Sequence, residues 1–523
     1  MKKCLTLLLA AGLVFSAASS ASAIDFKAQG EWLVGFAGGQ GNFVDKTRTA
    51  ENGKKKADSS DRFTASQRVR LQLDAVASES LSGTVFFEIG DQNWGSGGTV
   101  GAGSGGAMGA DGVAVEVKNA YIDWMVPDTT LSFRMGIQAL ALPNVAGGSA
   151  VLDDDAAGVT FHMQFNENVG LTGMWARPLN DNYDVQDGDY SGNNKKSYLD
   201  NVDLFALTLP LTFDGIEITP WAMLGVIGQN AFRGETDAET DITPYMTSNY
   251  MSDRWNSGDS FERTKNANTT AFWAGLPVKL TLWDPLNIEF DINYGYVGSQ
   301  GRGTIARVDG GGKTRFSTER QGWLAKALVE YKMDWGTPGI FGWYASGDDD
   351  NPKNGSERMP SVSPSTNFTS FMGDGNLAWS SGGSLYDRNL SLAGTWGIGL
   401  QIADMSFVED LKHTFRVAYW GGTNNPTMAK YAAHPWSWES GNGGSYDEDT
   451  FAGDPELYLT TNDGLLEFNL VNSYQMYENF EINFELGYIV NFIDHDTWKK
   501  ANRTEGYDAQ DAWKAQLIFA YTF

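Results

Sequence analysis

The connections along this chain alternate in length, short then long, from one end to the other. Short ones fall at Ser78–Ser80, Pro127–Thr129, Asn166–Asn168, Asp214–Gly215, Asp284–Pro285, Gly336–Pro338 and Glu478–Asn479. Between them lie long, polar, glycine-rich stretches at roughly 38–62, 91–112, 140–156, 178–200, 229–267, 299–319, 347–389, 422–461 and 494–509. The joined segments alternate residue by residue. From Asp25 to Phe36 the even positions are apolar or small, and the odd ones begin Asp25, Lys27, Gln29, Glu31. Arg68, Arg70, Gln72 and Asp74 likewise interleave with Val69, Leu71, Leu73 and Ala75. A strand points successive side chains to opposite faces, so each segment has one apolar and one polar face. Sorting loops by side is how a membrane-crossing antiparallel barrel is built, and a soluble sandwich has no reason to do it. The expected fold is therefore all-β: a transmembrane antiparallel β-barrel of about 18 strands, the last at Ala512–Phe523. The alternative is 16 strands, because 202–212 and 216–228 are the least regular segments.

The first 23 residues read separately. Lys2 and Lys3 precede a short apolar run, Leu5 to Phe15, and Ala21-Ser22-Ala23 forms an A-x-A cleavage pattern. Cys4 stands before that run, which disfavours a lipoprotein. Residues 1–23 are expected to be a signal peptide cleaved after Ala23, and 24–523 one barrel domain. The exported part then has 523 − 23 = 500 residues and no cysteine. Without Lys2 and Lys3, 36 basic residues face 65 acidic ones, a formal charge of −29. Nucleic-acid binding needs a basic footprint and is excluded on that balance. No later stretch is long and apolar enough for a transmembrane helix.

Aromatics make up 13% of the chain, enough to supply interfacial belts. Trp124, Trp283 and Trp335 each stand one to three residues before a proline-containing short turn, at Pro127, Pro285 and Pro338. The end of the chain is more specific. Phe519, Tyr521 and Phe523 alternate with Ile518, Ala520 and Thr522. This resembles the C-terminal assembly signal of Gram-negative outer-membrane proteins.

The segment Val117-Lys118-Asn119-Ala120-Tyr121-Ile122-Asp123-Trp124, followed by Leu131 to Gln138, is similar to the fourth and fifth strands of the general-diffusion porin family. The closest likeness is to homotrimeric porins of sulfate-reducing bacteria. The resemblance covers most of the chain as architecture and some tens of residues as sequence. It implies an outer-membrane location, a homotrimer, handling by the barrel assembly machinery, contact with lipid and lipopolysaccharide, and a third long loop folded into the lumen. Here that loop is Ala139–Ala156, carrying Asp153, Asp154 and Asp155 as the expected acidic side of a constriction. Parity places Lys27, Arg68, Arg70 and Arg134 on the lumen face, as the expected basic wall. The expected function is passive diffusion of small hydrophilic solutes and ions, mildly cation-preferring, with no cofactor.

Two other functions fit the same fold. Lumenal aromatics such as Tyr121, or loop aromatics such as Trp255 and Trp436, would suit a substrate-specific sugar channel. A plugged barrel with long loops would suit a structural or adhesive surface protein. Asp181, Asp184, Asp187, Asp189 and Asp348–Asp350 read as solvated outer loops, with weak cation bridging to lipopolysaccharide as the other possibility; their spacing is not that of a calcium loop. Enzymatic function is not expected. His162, His413, His434 and His495 are scattered; His162 is the only one well inside a regular strand, where Thr160 shares its face.

Overall fold

In the computed structural model the described residues are 24–40, 44–46, 48–49, 55–56, 62–95, 115–180, 201–228, 231, 246, 262–263, 268–307, 311–366, 368–369, 391–432, 457–501, 507–509 and 511–523. The expected signal peptide, the aspartates at 181–189, and Trp255, His434 and Trp436 lie outside them.

Eighteen antiparallel strands close into one barrel. They are β1 (Asp25–Gln40), β2 (Arg62–Ser78), β3 (Leu81–Asn93), β4 (Val115–Met125), β5 (Leu131–Ala141) and β6 (Asp153–Gln164). Next come β7 (Gly170–Asn180), β8 (Asn201–Thr208 and Leu211–Phe213), β9 (Ile216–Ile218 and Trp221–Ile227), β10 (Thr269–Leu280), β11 (Leu286–Val297) and β12 (Arg320–Tyr331). The wall ends with β13 (Thr337–Ala345), β14 (Thr395–Val408), β15 (Leu411–Gly422), β16 (Gly464–Tyr477), β17 (Phe480–Asn491) and β18 (Ala512–Thr522). Strands β8 and β9 are each interrupted by a proline, Pro210 and Pro220, which lack the N–H a ladder needs. Their carbonyls still accept, from Gly170 and Leu209. This is why the two stretches looked irregular in sequence, yet both are strands.

One further short turn, Glu409–Asp410 between β14 and β15, carries no glycine or proline and was not legible as a turn; Asp410 takes φ 61° there instead. Pro338 belongs to β13, so the turn before it ends at Gly336.

β1 and β18 seal the wall, paired from Glu31 with Thr522 to Gln40 with Trp513. At the end of the seam Gly30 donates to the Phe523 carbonyl (2.8 Å) and Phe523 donates back to Gly30 (3.0 Å). A closed sheet leaves no unpaired edge in a medium that offers no hydrogen bonds. The two faces follow the alternation. Phe26, Trp32, Leu73, Ile122, Trp124, Phe205, Leu400 and Trp283 are exposed on the outside, where hydrocarbon or headgroups would meet them. Phe519 lies between Phe36 and Phe480, and Tyr521 stacks on Phe523, making an aromatic row at the seam on the short-turn side.

Candidate functional site

The inward face is polar along β1–β6 and partly apolar along β8–β15, where two loops cover it. The third long loop runs 142–152. It is shorter than Ala139–Ala156 because β5 and β6 stay paired up to Ala141 and Asp153. Asp153, Asp154 and Asp155 therefore open β6 and are not on the loop. Asp154 accepts a hydrogen bond from the Ser363 hydroxyl (2.8 Å). Asp155 is ion-paired with Lys118 and accepts from Asn119 (2.8 Å).

The loop proper folds inward and packs against the far wall. Leu142, Ala146, Val151 and Leu152 are buried. Trp221 on β9 donates to the Pro143 carbonyl (3.1 Å). Asp291 on β11 accepts the backbone N–H of Val145 (3.1 Å) and Ala146 (2.6 Å). Lys326 on β12 donates to the Gly148 carbonyl.

The seventh loop joins it. Gly148 and Ser149 pair with Thr366 and Ser365, and Ser361 donates to Ala150 (2.6 Å). Gly148 has φ +78°, and a Cβ there would sit 2.1 Å from the Ser365 carbonyl oxygen, so this crossing requires glycine. Trp273 donates to Pro360 (2.9 Å), and Phe368 stacks between Phe341 and Trp343. Both loops are thus seated on lumen-facing apolar side chains.

Parity placed the four basic residues on the lumen face, and the register agrees, but they do not form an uninterrupted basic wall. Lys27 sits across from Asp74, and Arg70 is bound to Glu88 (2.6 Å). Arg134 grips Asp123 with two hydrogen bonds (2.7 and 3.0 Å) and lies 4.0 Å over the Tyr121 ring. Arg68 faces Leu33. Nor do all share a level with the aspartates. Arg134 pairs with Thr160, six positions along β6 from Asp154, which at strand rise is roughly 20 Å.

Sequence reading missed a second set of lumenal groups. Lys279, Glu289, Asn287, Glu330, Gln401 and Arg416 form a chain of polar contacts across β10–β15. Glu485 and Lys514 are ion-paired at 2.9 Å with almost no exposure. The signal was present: Asn287, Glu289, Asp291 and Asn293 alternate strictly with Ile288, Phe290 and Ile292.

Asp348 in the seventh loop is buried, which corrects its reading as solvated. It accepts from Tyr458 (2.7 Å), Ser356 (2.6 Å) and the Glu357 N–H (3.1 Å). Among the described residues no group of three or more His, Cys, Asp or Glu could hold a metal. His162 contacts Thr172 (3.0 Å), while Thr160 donates to Gln138, so the Thr160–His162 pair does not form.

Burial pushes Glu357 up to about 7, helped by the Asp348 and Asp349 carboxylates. Its folded value exceeds the ordinary 4.5, so the stability it lends the loop is complete below that and lost as pH rises through about 7. Protease cleavage within the seventh loop should increase from pH 6 to pH 8 in the native protein. Glu357→Gln should flatten that dependence; an unchanged profile would count against it.

No family model matches the sequence, and no curated protein does. Among solved structures the chain is similar to Pseudomonas aeruginosa OpdL, at 12% identity over 95% of this chain and 99% of that one, TM-score 0.46. It is similar to the outer membrane protein OpdK of the same organism, at 10% identity over 95% and 98%, TM-score 0.46. Acinetobacter baumannii OccAB4 gives 11% identity over 95% and 98%, TM-score 0.43. At these values the likeness carries no functional information. The barrel's own closure, faces and inserted loops define a porin-type architecture.

Proposed function

We propose that the chain is an outer-membrane porin, a passive channel for small hydrophilic solutes and ions. One observation carries this reading: a closed 18-stranded wall, apolar outside and ionic inside, too wide for its own side chains to fill. Solutes would pass along β1–β6, where Arg70, Glu88, Arg134 and Asp123 keep part of their side chains exposed. Assembly as a homotrimer belongs to the same proposal and rests on the resemblance of residues 117–138.

A substrate-specific channel is the second reading, and the joint insertion of the third and seventh loops favours it. Two loops seated on one wall narrow the passage more than one would. Liposome swelling with a graded series of sugars and amino acids separates the two. Rates that fall smoothly with solute size indicate general diffusion; saturation by one solute class indicates specificity.

Cation preference is expected because Lys27, Arg70 and Arg134 each face a carboxylate and the whole chain carries an acidic excess. Changing Asp153, Asp154 and Asp155 together to Asn should shift the reversal potential toward anions. The shift should be small, since Asp155 is already paired with Lys118. No shift at low salt would remove the triad from the ion path.

A further inference from the structure

The third loop is held by a buried charged pair on the barrel wall. Asp291 and Lys326 face each other in register on adjacent strands β11 and β12, 3.8 Å apart. Their side chains are 2% and 0% exposed. On the same inward face stand Glu289 and Asn293 on β11 and Leu324 on β12, all buried. A buried ion pair is a poor stabiliser of a wall, because apolar residues of similar size do as well without the desolvation cost. What this pair does is supply partners to the loop backbone at Val145, Ala146 and Gly148, beside the short ladder that Gly148 and Ser149 make with the seventh loop. The Asp291 carboxylate takes the N–H groups of Val145 and Ala146, and the Lys326 ammonium gives to the Gly148 carbonyl. Buried backbone groups need partners, and buried charges need their remaining sites filled. Each side supplies what the other lacks.

We propose that Asp291 and Lys326 form a latch that seats the third loop across the lumen, so that this pair sets the width of the passage. The inference rests on the channel reading. It assigns to two residues a positioning role: they need not touch a solute. With the pair intact the loop has a place for its N–H and carbonyl groups on the wall. With the acceptor gone, Val145 and Ala146 are better served by water in the lumen, and the loop leaves its seat.

The test is single-channel conductance in planar bilayers, with heat-modifiable gel mobility as the measure of barrel folding. Asp291→Ala removes the acceptor; Asp291→Asn keeps the shape and one acceptor oxygen. The latch predicts normal heat-modifiability for at least the Asn variant. It predicts conductance raised on the order of 1.5-fold or more in Asp291→Ala, because conduction follows the open cross-section, with Asp291→Asn between the two. Larger solutes should also enter liposomes carrying the Ala variant. Folded variants that conduct like the native protein would overturn the latch. Failure of both variants to fold would assign the pair to the wall itself and overturn it equally. A native protein that does not conduct would refute the channel reading instead.

Discussion

Removing Phe523 should leave most of the protein outside the membrane in an unfolded, heat-insensitive form. The residue closes the barrel. It exchanges two backbone hydrogen bonds with Gly30, and its ring lies over that glycine. Each such bond is worth about 1 kcal/mol in water and more where water cannot compete. A Cβ on Gly30 would stand 2.5 Å from the Phe523 ring and 2.6 Å from the Arg70 carbonyl oxygen. Gly30→Val should therefore reproduce the defect from the other side of the seam. Membrane fractionation with gel mobility of unheated samples measures both. If both variants reached the membrane heat-modifiable and at native levels, the seam between β1 and β18 would not be where assembly is completed.

A second large effect is expected from neighbouring residues on one strand. Leu73 is exposed on the outside of β2, and Gln72 turns inward, where it donates to Asp74 (3.0 Å). Arginine at a lipid-facing position near mid-membrane costs about 2–4 kcal/mol, falling toward the interfaces. Leu73→Arg should lower folding stability in lipid vesicles by that order. Gln72→Arg should fold as the native protein does, because its guanidinium would meet Asp74 in a wet lumen. Urea titration of vesicle-inserted protein reads both. Equal losses at the two positions would mean that β2 does not separate lipid from lumen.

The strands were legible because their period is two and each side has a different solvent, a rule that acts residue by residue. It placed Lys27, Arg68, Arg70 and Arg134 on the lumen face. It could not show that Glu88 and Asp123 stand across from Arg70 and Arg134, because those pairings come from register, which depends on turn geometry and bulges. The same limit moved Asp153–Asp155 from loop to strand. Three consecutive aspartates look like loop, but Lys118 and Ser363, from distant parts of the chain, hold two of them at the head of β6. The latch was hidden for a related reason. Asp291 and Lys326 each look like one more inward polar position, and their significance lies in the backbone of a loop far away in sequence. Prolines 210 and 220 obscured β8 and β9 because the pattern breaks where the ladder does, although the wall continues past them.

The most direct test of the channel itself is the current carried by purified native protein in a planar bilayer. The account predicts discrete upward steps on insertion, an ohmic open state, and a reversal potential on the cation side that moves toward zero as salt rises. Folded, heat-modifiable protein that inserts and leaves the bilayer at the conductance of bare lipid would contradict it.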